Sequence, residues 1–345
     1  MSILNNVKKN KVTADFSKFT YLVSGRAKAG KTSLVYKTAK EKFGDADNLL
    51  LVAFEKGYGA LDGINAIDIE KYEDFINLVD ELIANKKDLT YKMVAIDTID
   101  IMEEMATQYA LRELSKQDGK RYKKMTDVAW GGAWNKLAEV VSEQITRLHK
   151  AGYSLWFITH DKDKQFTTRE GIEYNKTTIS VSGKVREVVV NMADFIIFIE
   201  MTKENVEDVL VDKRYIHFRG DSSLEAGSRF EKIPNKIEYD VKGFIDTIED
   251  SILVEYGGDV KAVEKAKKEQ EKEFIKKVDK FIAEETAEKV SGDELLEIIK
   301  TKFPNAATDV KEQVKVIMDN NNITSLKSAD GISIEALEKI VEVLG

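Results

Sequence analysis

Tyr21-Leu-Val-Ser-Gly25-Arg26-Ala27-Lys28-Ala29-Gly30-Lys31-Thr32-Ser33-Leu34 contains the pattern G-x-x-x-x-G-K-[ST] without a gap. An apolar run, Thr20 to Ser24, leads into it as a strand, and a helical run, Leu34 to Phe43, leaves it, which is the setting a P-loop requires. Gly25 and Gly30 permit a tight turn whose backbone N–H groups face inward, a cradle for phosphate oxygens at the positive end of the next helix. Lys31 has the reach for the β- and γ-phosphates, and the Thr32 hydroxyl can ligate Mg²⁺. The stretch Gly25 to Ser33 therefore predicts a site for ATP with Mg²⁺.

Composition sets the frame around this motif. With 345 residues, 43% hydrophobic and 33% charged, the chain can bury a large core and exceeds one average domain. It has no cysteine, which excludes disulfides, Cys-ligated zinc and thiol catalysis. No apolar run is long enough for a membrane span, and Met1 to Lys18 is polar and lysine-bearing, without a signal pattern; the expectation is a cytoplasmic protein. A net charge of −8 and a pI near 5.3 argue against wholesale coating of nucleic acid, while a local basic channel remains compatible with that total.

Outward from the P-loop, strands and helices alternate. Residues 1–19 read as a loose polar leader. Asn48 to Phe54 is a buried-type strand ending at Glu55, a carboxylate placed either to polarise the water that attacks the γ-phosphate or to stand solvated at a strand end. Glu70 to Lys86 reads as a crossover helix. Lys92 to Asp97 is an apolar strand closing on an acid, so Asp97 joins Thr32 as a candidate for the Mg²⁺ shell. A helix over Ile101 to Leu114 gives way to a basic stretch with Lys120, Arg121, Lys123 and Lys124, then to Trp130 and Trp134. Cations interleaved with rings suit a single strand of DNA; the alternative is a solvated loop with both tryptophans docked in the core.

Asn135 to Lys150 reads as another helix, and Tyr153 to Thr159 as a strand that leaves Thr159 or His160 to sense a γ-phosphate or simply to pack there. Residues 162–186 carry Lys162, Lys164, Arg169, Lys176, Lys184 and Arg186, a basic hairpin or loop leaving the nucleotide edge of the sheet. Strands over Ala193 to Glu200 and Arg214 to Arg219 follow. Arg229 then lies beyond the core strands, either as a finger for a neighbouring subunit's γ-phosphate or in a local salt bridge. From residue 255 the character changes: 255–289 reads as a charged helical linker and 290–345 as a small helical module, with helices over Asp293 to Lys300, Asp309 to Asp319 and Ser333 to Leu344, a break at Pro304 and turn signals at Asn320 to Asn322 and Asp330-Gly331. The three histidines are scattered and make no metal site.

The order Gly25 to Thr32, Glu55-Lys-Gly57, Asp97-Thr-Ile-Asp100, Asp127 to Gly132, Ile158-Thr-His160, Ala193-Asp-Phe195 and Ala226-Gly-Ser-Arg229 resembles the RecA-like ATPases carried by bacteriophages, including the single-strand annealing and recombination ATPases of the Sak group. The resemblance spans residues 15–245. It implies an α/β, RecA-like P-loop core with a mainly parallel sheet flanked by helices, over 1–254, and leaves the C-terminal helices outside it. It further implies Glu55 as catalytic carboxylate, His160 near the γ-phosphate, DNA-facing loops near 115–132 and 161–187, and ring or filament homo-oligomers with ATP between subunits. Gly227 stands where such sites often place a lysine two residues before the trans-acting arginine, so Arg229 would act alone.

The expected function is thus an ATP-dependent, single-stranded-DNA-binding recombination or annealing protein, acting in the cytoplasm of a bacterial host if phage-encoded. A single-strand-binding protein is the partner expected for the C-terminal module. The rival expectations are a replicative helicase or helicase loader, and a RecA-like switch that recruits a protein without DNA.

Overall fold

The apolar runs assemble into one sheet buried on both faces. A computed structural model describes residues 9–286, 292–321, 323, 325, 326, 332 and 334–344. In chain order these form β1 (Tyr21–Gly25), α1 (Lys31–Phe43), β2 (Leu49–Ala53), β3 (Asn65–Asp68), α2 (Tyr72–Ala84), β4 (Met93–Asp97), α3 (Ile99–Asp118), α4 (Gly132–Lys150), β5 (Ser154–Thr159), β6 (Asp161–Thr167), β7 (Glu173–Ile179), α5 (Gly183–Met192), β8 (Phe195–Val206), β9 (Val209–His217), β10 (Gly227–Ser228), β11 (Lys236–Glu238), α6 (Val241–Glu255), α7 (Val260–Thr286), α8 (Gly292–Lys302), α9 (Thr308–Asn320) and α10 (Ile334–Leu344).

The strand order is β11-β9-β8-β1-β5-β4-β2-β3, with β10 added to β8 and β6–β7 standing apart as a hairpin. From β8 to β3 every neighbouring pair is parallel, and β9, β10 and β11 pair antiparallel. One strand, β5, separates the P-loop strand from the strand of Asp97. This is the RecA-like α/β core that the sequence predicts, with helices beyond it at the C-terminus.

Period-2 geometry explains the two cores. Leu22, Leu50 and Val94 face the side covered by α2, α3 and α4 through Phe75, Met102 and Val141. Tyr21, Val23 and Leu51 face the side of α1 and α6, with Leu34 and Phe244. Tyr21 lies between its cross-strand neighbours, stacked on Trp156 at 3.9 Å and Phe195 at 5.2 Å. Such ring pairs add about 0.5–1.5 kcal/mol each beyond burial.

The structure differs from the sequence reading in several places. The leader is not loose over the residues described: Phe16 is 2% exposed and meets Phe244 edge-on, because two phenylalanines in a polar stretch have a core to enter. Residues 1–8 lie outside the described residues. β3 and α5, absent from the sequence reading, are short and half-polar. The segment 255–289 contains α7, which lies along the core: Gln270 bonds both Val12 O and Ala14 N, and Arg147 pairs with Glu285 at 2.9 Å. The chain accordingly divides into compact units at 1–285 and 286–345. In the second unit α8, α9 and α10 share a core of Leu296, Ile299, Val314, Leu337 and Ile340. The turn signal at Asp330-Gly331, together with Asn322 and Ser333, lies outside the described residues.

Candidate active site

The P-loop connects β1 to α1, and its glycines are fixed by close neighbours. Gly25 has φ +149°, and a Cβ there would stand 2.7 Å from Ile199 O, so only glycine lets β1 end against β8. Gly30, at φ +103°, opens α1. Within the loop Arg26, Ala27 and Lys28 are exposed, Ala29 is buried and Ser33 half-buried. Lys31 is 6% exposed and donates from Nζ to Gly25 O at 2.8 Å and Arg26 O at 3.0 Å. Burial pulls its ammonium below the ordinary lysine value, against the opposing charges of Asp97, Asp161, Asp100 and Glu55.

Asp97 ends β4 and is buried; the Thr32 hydroxyl donates to its Oδ2 at 2.7 Å. Burial pushes the Asp97 carboxyl up, and the Thr32 bond and Lys31 charge offset only part of that. A desolvated carboxylate beside a hydroxyl, both hard oxygen donors at the P-loop, fits Mg²⁺, which is held through one or two carboxylates with phosphates and waters completing its shell. Thr32 and Asp97 are the residues that would hold it.

Glu55 and His160, just past the ends of β2 and β5, converge with Asp100 in the first turn of α3. Phe54 N–H and Glu55 N–H both donate to Asp97 O, at 2.7 and 3.1 Å, tying the end of β2 to that of β4. His160 Nδ1 lies 2.9 Å from Asp100 Oδ2, and its Nε2 lies 3.8 Å from Glu55 Oε2. Burial would raise the Asp100 carboxyl, but the hydrogen bond and charge of His160 outweigh it and hold the group low. Asp100 thus orients the imidazole and leaves Nε2 toward Glu55. Thr159 Oγ1 bonds Asp100 Oδ1 at 3.3 Å and meets Ser180 Oγ at 3.2 Å, and Ser180 N–H donates to His160 O. The network therefore ends at the foot of the β6–β7 hairpin.

The motif run gives Asp100 no role of its own; its spacing from Asp97 is the signal that points to one. Two further neighbours had no local signal at all. Tyr239 Oη donates to Gly30 O at 3.0 Å, and the Arg214 guanidinium sits 4.7 Å from the Tyr239 ring. Both arrive from the antiparallel edge, far along the chain from the loop they touch.

The structure does not bring Arg229 to this site. It follows β10, which pairs with β8 at Phe195 and Ile196, the end of the parallel strands away from the P-loop. There it pairs with Asp194 at 3.2 Å and donates to Asn191 O at 3.0 Å.

The basic candidates divide. Lys184 pairs with Glu187, and Arg186 with Glu225. Lys120, Arg121, Lys123 and Lys124 lie in the α3–α4 connection and form no ion pair among the described residues. The tryptophans there are not core residues: Trp130 is wholly exposed at φ +57° and Trp134 is 38% exposed, since the chain between the helices turns outward. Arg169 lies in the turn of the β6–β7 hairpin. Along that hairpin Lys162, Lys164 and Phe166 share one face with Tyr174 and Lys176, while Asp163, Gln165, Glu173 and Thr177 occupy the other. On the basic face Lys164 stands directly opposite Lys176, and Phe166 stacks on Tyr174 at 5.7 Å. On the other, Thr177 bonds Asp163 at 2.7 Å and Gln165 bonds Glu173 at 2.8 Å.

A model of the AAA domain family matches residues 17–230, the span that holds the P-loop, the Asp97 strand, the His160 network and the hairpin. The chain belongs to that family. This AAA domain chain is 29% identical over 113 residues, 32% of its length, to the SPbeta prophage-derived uncharacterized protein YorG of Bacillus subtilis (strain 168). It spans 33% of that relative's length. Among solved structures it is similar to the KaiC-like protein PH0186 of Pyrococcus horikoshii OT3, at 18% identity and a TM-score of 0.34, over 65% of this chain and 90% of that one. Among the described residues, no helix of the AAA domain chain is long and apolar enough to cross a membrane.

Proposed function

We propose that this chain is a phage-associated, ATP-hydrolysing AAA protein of RecA-like fold whose nucleotide state governs the grip of its β6–β7 hairpin on single-stranded DNA. The prophage origin of the relative supports the phage assignment. The DNA assignment is carried by one observation. Two lysines stand directly opposite each other on an exposed hairpin, a pairing that is destabilising unless an anion lies between them, and a stacked ring pair continues the same face.

In the ATPase half of the reading, Lys31 leaves its loop carbonyls to meet the β- and γ-phosphates as the P-loop N–H groups hold them. When bound beside Thr32 and Asp97, Mg²⁺ supplies neutralisation of charge on the phosphate oxygens. Glu55 accepts a proton from the attacking water, and His160, fixed by Asp100, faces the same space. Because His160 and Ser180 share a bond at the hairpin's foot, a change at the γ-phosphate alters how β6 leaves the sheet. In this reading the chain anneals or recombines strands as an assembly of copies, with Arg229 released from Asp194 toward a neighbour's nucleotide and the C-terminal module engaging a single-strand-binding protein.

The test is the steady-state ATPase rate with single-stranded DNA, duplex DNA, RNA or none, at two salt concentrations, for the wild type and for Lys162→Ala/Lys164→Ala/Lys176→Ala. Stimulation selective for single strands, weakened by salt and lost in the variant, is expected. No response to any nucleic acid would turn the reading to a partner-recruiting switch, and directional unwinding would turn it to a helicase.

A further inference from the structure

At the edge of the sheet opposite the P-loop, α7 roofs a groove of about 1080 Å³ whose lining holds seven lysines and four carboxylates, in a chain of net charge −8. Its floor is the set of turns entering β1, β4 and β5. Three of the carboxylates are already occupied: Asp15 pairs with Lys267, Glu271 with Lys18 and Asp279 with Lys87, at 3.3, 3.1 and 3.6 Å. Lys86, Lys92, Lys268 and Lys272 have no carboxylate within ion-pair distance among the described residues. Lys86 Nζ has a carbonyl, Tyr91 O at 3.0 Å, and the Tyr153 ring at 3.4 Å. Burial, then the like charges of Lys18 and Lys92, pull its ammonium down to about 8. The fourth lining carboxylate, Glu264, forms no ion pair among the described residues, so four lysines share the groove with one free carboxylate.

Shape and surface chemistry narrow the ligand. The lining runs along α7 from Glu264 to Asp279, about 22 Å of helix at 1.5 Å per residue, longer than a single nucleotide needs. The rings beside it are already faced by cations: Lys18 covers Phe274 at 3.4 Å, Lys86 covers Tyr153, and Lys92 lies 5.0 Å from Phe43. Each of these rings has an ammonium over one face, and a line of lysines remains for phosphates.

We infer that the α7 groove is a second nucleic-acid path, holding the phosphate backbone of a single strand along the unpaired lysines without reading its bases. It deepens the proposed DNA-binding function and rests on it only for the class of ligand, since the groove and the hairpin lie at opposite edges of the sheet. An annealing protein must hold two strands, and two separate paths would supply that.

The experiment is fluorescence anisotropy of a labelled oligodeoxythymidine over a salt series, using the full chain. The groove variant is Lys92→Glu/Lys268→Glu/Lys272→Glu, three exposed side chains whose reversal leaves packing intact, and Lys37→Glu/Lys232→Glu/Lys261→Glu makes the same charge change outside the groove. Each is made in the wild type and in the hairpin variant above. The groove variant should bind at least about tenfold more weakly, with a salt slope smaller by about 2, while the control stays near its parent. Unchanged binding in both backgrounds overturns the groove. If instead the hairpin variant binds like wild type while the groove variant does not, the hairpin reading fails and the groove stands. Displacement of the strand by tripolyphosphate at matched phosphate concentration also overturns the strand path, in favour of a small oligophosphate.

Discussion

Lys31 and Lys86 are lysines sunk at opposite edges of one sheet, and both are pulled down by burial. Lys31 is compensated by its own loop, through two carbonyls, and by four nearby carboxylates. Lys86 has one carbonyl and a ring, and its charged neighbours are other lysines. The first ammonium is held in place by its own loop. The second is left in deficit, which a structure tolerates where an anion completes the site. The contrast teaches that a ligand site can be recognised by a missing countercharge as well as by a motif.

The largest effect expected at either lysine is catalytic. Lys31→Ala removes a charged donor from the phosphates and should lower steady-state phosphate release about 10²–10³-fold. Turnover near wild type would break the contrast at its firmer end, since Lys31 would then be no more than a satisfied cation.

How far each region could be read from the sequence follows from the same geometry. The partners of Lys31 at Gly25 and Arg26 lie within the motif, and the strands that frame it are uninterrupted apolar runs, so the parallel core and the P-loop between β1 and α1 are legible in the sequence. His160 is legible at a strand end, but its bond to Asp100 closes over sixty positions of chain and appears only once β4 and β5 are neighbours. The α7 groove was not legible at all. Its lysines come from the entry to β1, the ends of α1 and α2, the entry to β4 and a helix whose charge reads as that of a solvated linker. Nothing local distinguishes Lys268, which lines a groove, from Lys265, which does not. Which carboxylate Arg229 pairs with is not legible either, because β10 returns to the start of β8 in a pairing two residues long and without periodicity.

A smaller effect tests whether α7 belongs to the groove. Gly152 has φ +84°, and a Cβ there would stand 2.8 Å from Val278 Cγ2 and 2.9 Å from Phe274 Cζ. Gly171 has φ +85° with nothing within 4 Å. Gly152→Ala and Gly171→Ala therefore share the backbone strain, about 1 kcal/mol or more, and differ in the contact. Gly152→Ala should cost about 1–3 kcal/mol beyond Gly171→Ala in urea denaturation, from overpacking against α7. Equal losses would mean that α7 does not rest on the floor of the groove, and the second region of the comparison would dissolve.

The smallest effect has the least expected sign. An ordinary lysine titrates near 10.5, and Lys86 in the folded chain near 8. Below pH 8 the group is charged in both states, and folding carries the whole cost of burying it. Between 8 and 10.5 the unfolded chain holds the extra proton, so wild-type stability gains with rising pH from this residue; above 10.5 both states are neutral. The shift corresponds to about 3 kcal/mol, from which the lost Tyr91 hydrogen bond and Tyr153 ring contact must be taken. Lys86→Met should accordingly be more stable than wild type at pH 7 by about 1–2 kcal/mol, with the advantage fading by pH 10.5. Denaturant unfolding of the two proteins at pH 7 and pH 10 measures it. A Met variant less stable at pH 7 would show that Lys86 is compensated within the free chain, as Lys31 is. A stabilised variant would show a cation whose burial is not compensated within the free chain.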